Sequence, residues 1–274
     1  MPQQHPKCGG TLMVRENQKI IAIITDFGEE DFYVGAMKGV ILSINPRAII
    51  VDISHYVRKF SIVSGAYVLY GSYNNFPIGT TFLIVVDPGV GSSREPLLVI
   101  TEKYKFVAPN NGVLSLVLQK EKVKKVYKIP ENIFTERPSF TFHGRDIFAP
   151  AAAYASLDNF EVFEEFNGHL VFLDVLKHEI RENYARGHII HVDSFGNMAT
   201  SIPYEKVSRK IPYSSVVTVE GIGRLKVVRF FSELSKGEVG LIPNSIGLIE
   251  ICRREGSAYE ALNLELGDEV TIYW

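Results

Sequence analysis

Apolar residues fall in continuous runs up to about residue 160 and in shorter, β-branched segments beyond it, so the pattern divides the chain in two. The run Ile20-Ile21-Ala22-Ile23-Ile24-Thr25 ends on Asp26 and Gly28, and residues 31–44 follow with helical spacing until Asn45-Pro46 stops them. That reads as strand, loop, helix. The unit recurs, because residues 48–51 lead into Asp52, and the apolar-periodic segment 61–73 leads to the run 81–86. Apolar runs alternating with helices predict a mostly parallel sheet sandwiched by helices and joined by right-handed crossovers. Residues 97–101 and 104–107 read as a hairpin, and 111–119 as a helix after the turn Ala108-Pro109-Asn110. The alanine-rich segment 146–156 reads as another helix, with Pro150 in its first turns.

In the second part the segments 187–192, 216–220, 225–230, 238–242, 247–251 and 269–274 are punctuated by Gly and Pro. They predict a smaller antiparallel β-barrel-like or sandwich domain. The expected division is a disordered leader at 1–18, an α/β N-terminal domain at 19–163, a linker at 164–184 and the β domain at 185–274. Met13, shortly before the first strand, also reads as a later start codon. No internal repeat implies a solenoid.

Composition narrows the function classes. The 274 residues suffice for two cores, and no apolar run approaches the ~18–20 residues of a membrane span. A net charge of -2 supplies no global field for nucleic acid or an anionic membrane, which favours small-molecule partners. Two cysteines, Cys8 and Cys252, build no disulfide framework, and a reducing cytoplasm fits best. His5 and Cys8 form half of a zinc pattern whose second pair is missing.

Candidate chemistry sits at the strand ends. Asp87-Pro88-Gly89-Val90-Gly91-Ser92-Ser93-Arg94 follows a buried run, and Phe142-His143-Gly144-Arg145-Asp146 offers an imidazole to meet it. In an open α/β sheet ligands bind beyond the carboxyl ends of the strands, so Asp87, Arg94 and His143 brought together would form a charged site able to orient water. The plain alternative is a turn Asp, a surface Arg and a loop His. Asp26, Asp52 and Asp87 each end a strand, which suits either a hard cation or simple turn and cap duties. Asp26 and Asp31, around a tight loop, could hold a hydroxylated or cationic ligand. In Asp193-Ser194-Phe195-Gly196-Asn197 the Phe could stack on a base and the Asn could read a purine edge, or the segment is only a β-turn with a packed Phe. Asn244-Ser245-Ile246-Gly247 is a further turn between strands.

Taken in order, Thr25-Asp26-Phe27-Gly28 with Asp31, residues 87–94, Ala108-Pro109-Asn110-Asn111-Gly112, residues 142–146, residues 193–197 and residues 244–247 resemble one family. It is that of the S-adenosylmethionine (SAM) hydroxide adenosyltransferases, or SAM hydrolases, related to the SAM-dependent fluorinase and chlorinase. The resemblance runs from about Ile20 to Trp274. It implies a homotrimer, each site lying between the α/β domain of one subunit and the β-barrel-like domain of the next. It further implies that Asp26 holds the ribose hydroxyls, Asp31 and Asp193 the methionine ammonium, and Phe60, Phe195 and Phe231 the nucleoside faces. Asn197 would read the adenine edge, Glu255 would contact adenine through its backbone, and Ser245 joins the substrate-binding set. Phe60 and Phe231 rest on looser alignment, with core packing as their alternative.

Halogenating relatives carry a tyrosine in place of Asp87, and the fluorinase has Tyr-Ser in place of His143-Gly144, so the resemblance is to the water-using members. Ile246 is a departure, standing where the fluorinase has an arginine on the methionine carboxylate. The implied reaction is attack of water or hydroxide on ribose C5′, expelling methionine and leaving adenosine, without metal or other cofactor. Asp87 would orient or deprotonate the water, His143 would complete its hydrogen bonds, and Arg94 would stabilise developing hydroxide; either Asp87 or His143 could take the proton. The alternatives are a non-catalytic SAM or adenosine sensor, a halide-using adenosyltransferase, and a metal-dependent phosphoesterase built on Asp26, Asp52, Asp87 and His143.

Overall fold

Seven strands build the first sheet: β1 (Ile20–Thr25), β2 (Ile49–Ser54), β3 (Thr81–Val85), β4 (Pro96–Thr101), β5 (Lys105–Pro109), β6 (Val123–Lys128) and β7 (Glu164–Glu165). Their order is β2-β1-β3-β5-β4-β6-β7 in the computed structural model, which describes residues 19–132, 134–135 and 138–274. The expected leader and the His5–Cys8 pair lie outside the described residues. β1 runs parallel to β2 and β3, and β3 to β5, while β4, β6 and β7 add an antiparallel edge.

The continuous apolar runs are explained by burial on both faces. Ile21 and Ile23 of β1 enter a core with Met37 and Ile41 of α1 (Tyr33–Ile44) and the alanines of α4 (Ala149–Ser156). Ala22 and Ile24 point the other way, into a core with Leu69 of α2 (Ile62–Ser72) and Val117 of α3 (Ser115–Leu118). The helix expected over 111–119 shrinks to α3 because Asn111 and Gly112 form a turn. Asn111 Nδ2 donates to Val86 O at 2.9 Å, its Oδ1 accepts from Val113 N at 3.1 Å, and Gly112 holds φ +95. The helix expected from residue 146 instead starts at Gly144, as a π-helical turn that runs into α4.

The second unit is a closed barrel. Its strands are β9 (Tyr184–Val192), β10 (Met198–Pro203), β11 (Val216–Val219), β12 (Gly223–Val227), β13 (Val239–Pro243), β14 (Leu248–Arg253) and β15 (Glu269–Tyr273). The ring β10-β14-β13-β12-β11-β15-β9 closes through β9–β10, and β8 (Glu179–Ile180) adds to the edge of β9. Every pairing is antiparallel except β12–β13, which is parallel. α5 (Tyr204–Val207) and α6 (Ala258–Leu262) pack Val207 and Ala258 into the barrel core.

α2 joins the two units. Ala66, with Val63, Tyr67 and Tyr70, packs on Ile190, Ala199 and Leu248 of the barrel wall. Ser64 Oγ lies 2.7 Å from His191 Nδ1, and Arg58 meets Glu265 at 3.2 Å. Among the described residues no helix is long and apolar enough to cross a membrane.

Candidate functional site

Parallel register sets the first cluster of candidate residues. Thr25 of β1 lies opposite Val85 of β3, so Asp26 and Asp87 emerge close together at the carboxyl edge of the sheet. Beyond Asp87 the chain turns through Gly91, at φ +78, which brings Arg94 back onto the carboxylate. Arg94 Nε donates to Asp87 Oδ1 at 3.1 Å and Oδ2 at 2.9 Å, and Nη2 donates to Oδ2 at 2.5 Å. The same Nη2 lies 2.9 Å from His143 Nδ1. An arginine nitrogen can only donate, so this contact makes Nδ1 the acceptor and places the imidazole proton on Nε2.

Burial and the Arg94 charge hold the His143 imidazole below its ordinary range, keeping it neutral. The guanidinium rests 5.3 Å over the Phe148 ring, and its Nη1 is buried with no partner among the described residues. A buried unpaired donor on an arginine costs free energy unless a ligand or water fills it. Phe27, Tyr33 and Phe142 anchor the loop of His143, with Tyr33 and Phe142 centroids 5.0 Å apart. Gly144 fits there because a Cβ would stand 3.2 Å from Met37 Sδ and 3.3 Å from the Phe27 and Phe142 rings.

Asp26 accepts a 2.8 Å bond from the backbone N–H of Phe60, a residue at φ +66 whose ring is 72% exposed. Burial raises the Asp26 carboxyl above its ordinary range, against the pull of that N–H, and the charge of Asp87 adds to the rise. Asp26, Phe27, Asp31, Tyr56 and Lys59 line one cavity of about 360 Å³. Asp52 turns away from this cluster to Lys38 at 2.5 Å and His55 at 3.0 Å. The phosphoesterase set of Asp26, Asp52, Asp87 and His143 therefore has no common focus. Glu29, Asp52 and His55 do bring ligand atoms within 4.8 Å of one another, with the Lys38 ammonium already on Asp52.

A second cluster lies on the barrel. Asp193 Oδ1 accepts from the N–H groups of Phe195 and Asn197 at 2.9 and 2.8 Å, and Oδ2 from Asn197 Nδ2 at 3.0 Å. This fixes the Asn197 amide and leaves its Oδ1 and second N–H for a ligand. Gly196 makes the turn at φ +80 against Ser257, while its carbonyl accepts from Tyr259 N at 2.9 Å. Phe195, Asn197, Phe231, Glu255 and Ser257 line a cavity of about 610 Å³. Glu255 sits at φ +52 with its carboxylate 3.1 Å from Lys236.

Within one chain the two cavities share no lining residue. Ser245 lies in neither: it is exposed on the turn before β14, at the opposite end of that strand from Glu255. Ile246 packs toward α2, where a Cβ on Gly71 would touch it at 3.6 Å. The sequence reading missed Lys59 and Ser257, which line the cavities, and His191 and Glu250 at the seam. For Glu250 a sign was present, a lone carboxylate inside the apolar strand Leu248–Arg253.

Residues 21–165 match the SAM hydroxide adenosyltransferase N-terminal domain, and residues 187–271 its C-terminal domain. The chain is 36% identical over 267 residues to an (R)-S-adenosyl-L-methionine hydrolase of Methanocaldococcus jannaschii, covering 93% of this chain and 96% of that one. It is 30% identical to a Thermus thermophilus protein of the same name, over 92% and 98% of the two chains. A fluorinase of Nocardia brasiliensis is more distant, at 25% identity over 92% of this chain and 96% of its own. Among solved structures, an uncharacterised conserved protein of Thermotoga maritima superposes with a TM-score of 0.85 at 36% identity, over 93% of this chain and all of that one. Since the match runs through both domains and nearly the full length of its relatives, the chain belongs to the SAM hydroxide adenosyltransferase family.

Proposed function

We propose that this protein hydrolyses S-adenosyl-L-methionine to adenosine and L-methionine, with the (R) sulfonium epimer named in its hydrolase relatives as the substrate to test first. The observation that carries the reading is the buried Asp87–Arg94–His143 chain, with Arg94 Nη1 left unpartnered among the described residues. Water oxygen bonds to C5′, the C5′–S bond breaks with its electron pair going to sulfur, and one water proton leaves through the site to solvent. The sulfonium is already an activated leaving group, so the protein's task is to present the water in line.

Of the two candidate bases, Asp87 is the one with capacity. The Nδ1 lone pair of His143 is taken by Arg94, and its Nε2 carries a proton that can donate to the water oxygen. Asp87 Oδ2 takes two arginine bonds, whereas Oδ1 takes one at 3.1 Å and keeps a lone pair for the water. Asp26 would hold the ribose hydroxyls and Asp31 and Asp193 the ammonium. Phe60, Phe195 and Phe231 would cover the nucleoside, and Asn197 would read adenine beside the Glu255 backbone. Ser245, outside both cavities of a single chain, would act only across a subunit boundary. The split of the site into two separate cavities supports a homotrimer in which an α/β half meets the barrel of the next subunit. The cysteine usage supports a cytoplasmic setting for the reaction.

The test is to incubate chelator-treated protein with each sulfonium epimer, in halide-free buffer and in chloride, and to resolve the nucleosides by chromatography. Equal adenosine and methionine, unchanged by chloride, is the expected result. A halogenated nucleoside would point to the halide-using class, and tight binding without product to a sensor.

A further inference from the structure

At the seam between the two units, one polar group is buried without a counter-charge. Registers of β9, β10 and β14 place His191, Ala199 and Glu250 in one row, His191 opposite Ala199 and Ala199 opposite Glu250. Residues directly opposite on neighbouring strands share a face. The small Ala199 leaves room for Tyr67 of α2, whose ring stacks on His191 at 4.5 Å and whose hydroxyl accepts from Asn244 Nδ2 at 3.1 Å. Asn244 Nδ2 also reaches Glu250 Oε2 at 3.4 Å, while its Oδ1 accepts from Ile246 N at 3.2 Å and Leu248 N at 3.0 Å. Asn244 thus ties Glu250 to the backbone of the turn that carries Ser245.

The groups facing Glu250 are all neutral or acidic. Tyr67 comes from α2, His191 and Asp193 from β9 and the loop after it, Asn244 from the turn, and Cys252 from β14 itself. Burial drives His191 down to about 4, so it stays neutral, and drives the Cys252 thiol up to about 12. Glu250 is only 7% exposed and no lysine or arginine pairs with it among the described residues. A buried carboxylate is ordinarily paired, so one that lacks a cation in the protein is suited to one brought by a ligand.

We infer that Glu250 is a positioning residue for the cationic substrate, holding the Ser245 turn through Asn244 and adding a second negative charge behind Asp193. The inference rests on the substrate reading given above. Its consequence is a binding step that responds to pH near neutrality, because burial and the nearby Asp193 lift the Glu250 carboxyl to about 7. When Glu250 is ionised the site attracts the sulfonium substrate; when it is protonated the attraction weakens.

The experiment compares KM and kcat for S-adenosylmethionine at pH 6.0 and 7.5 in the full-length protein, in Glu250→Gln and in Glu250→Asp, with adenosine binding as control. Titration of the substrate's own ammonium affects all three proteins alike, so their ratio reports Glu250. In the wild type KM should fall about fourfold from pH 6.0 to 7.5, the order expected when one added charge is worth about tenfold in affinity at the effective dielectric of a protein interior and the free carboxyl titrates at about 7. Glu250→Gln should flatten that trend with the loss in KM rather than kcat, Glu250→Asp should restore part of it, and adenosine binding should not change.

A Glu250→Gln protein that keeps the wild-type trend overturns the inference, as does a wild type that binds adenosine and hydrolyses the substrate with a flat KM. A wild type that binds neither molecule overturns the functional reading with it. If Glu250→Gln does not fold, calorimetry of S-adenosylmethionine binding to Asp87→Ala in two buffers replaces it. Proton release on binding at pH 6.5 is expected, and none overturns the inference.

Discussion

Three residues decide different properties of the site. If Asp87 acts as the proposed base, Asp87→Asn should lower kcat about 10²–10⁴-fold while the Kd for substrate stays within a few-fold, measured by single-turnover kinetics and calorimetry. Gly196 is a backbone requirement: it holds φ +80, and a Cβ there would lie 2.1 Å from Ser257 Oγ. Gly196→Ala should therefore displace Phe195 and Asn197 and remove adenosine binding, while the Asp87–Arg94–His143 cluster in the other domain stays intact. Glu250 trades stability for charge. Its folded carboxyl titrates near 7 against 4.5 for an ordinary glutamate, so the folded chain holds that proton more tightly than the unfolded one. The resulting stabilisation is full below about pH 4.5 and lost as pH rises through about 7. Substrate-free Glu250→Gln should melt above the wild type at pH 8, with the difference gone at pH 4, as read by calorimetry.

At the scale of elements, α2 matters most, because it begins beside Phe60 and Asp26 and ends packed on the barrel. Its N-cap is Ser61, whose side chain accepts from Ser64 N at 3.2 Å. Ser61→Ala should cost about 1 kcal/mol of stability and raise KM, since the Phe60 N–H that holds Asp26 lies one residue away. The sequence made α2 and the β1–β3 strand ends legible because continuous apolar runs and helical spacing are local properties. It also put Asp26, Asp87, Arg94 and His143 on the page through ordered motifs. Other features were hidden for physical reasons. β6 reads as Val-Lys-Lys-Val-Tyr-Lys, a charged edge whose strand character comes from pairing with β4. The parallel β12–β13 pair and the seam of Tyr67, His191 and Glu250 depend on which distant strands become neighbours, which no local period encodes.

For the whole molecule, the two separate cavities make an assembly prediction. If each site takes its α/β half from one subunit and its barrel half from the next, Asp87→Ala and Asn197→Ala are each inactive alone but complement one another. Randomly mixed trimers, refolded together in equal amounts, should regain about one quarter of wild-type sites by a head-to-tail interface that closes as a ring. No recovery would place both halves in a single chain. Light scattering should give the mass of three chains, and the exposed rings of Phe60 and Phe195 should become protected from solvent in that state.

The neighbouring strand ends that set Asp26 beside Asp87 have one more effect, on how a turnover finishes. In the proposed reaction they would draw in a substrate that carries a net positive charge, whereas adenosine and zwitterionic methionine are both neutral overall once the C5′–S bond is gone. The fragments would then lack the electrostatic hold that brought their parent in, so the site would empty as a direct result of its own chemistry. Inhibition by the two products together should accordingly be far weaker than inhibition by an uncleavable sulfonium of the same shape.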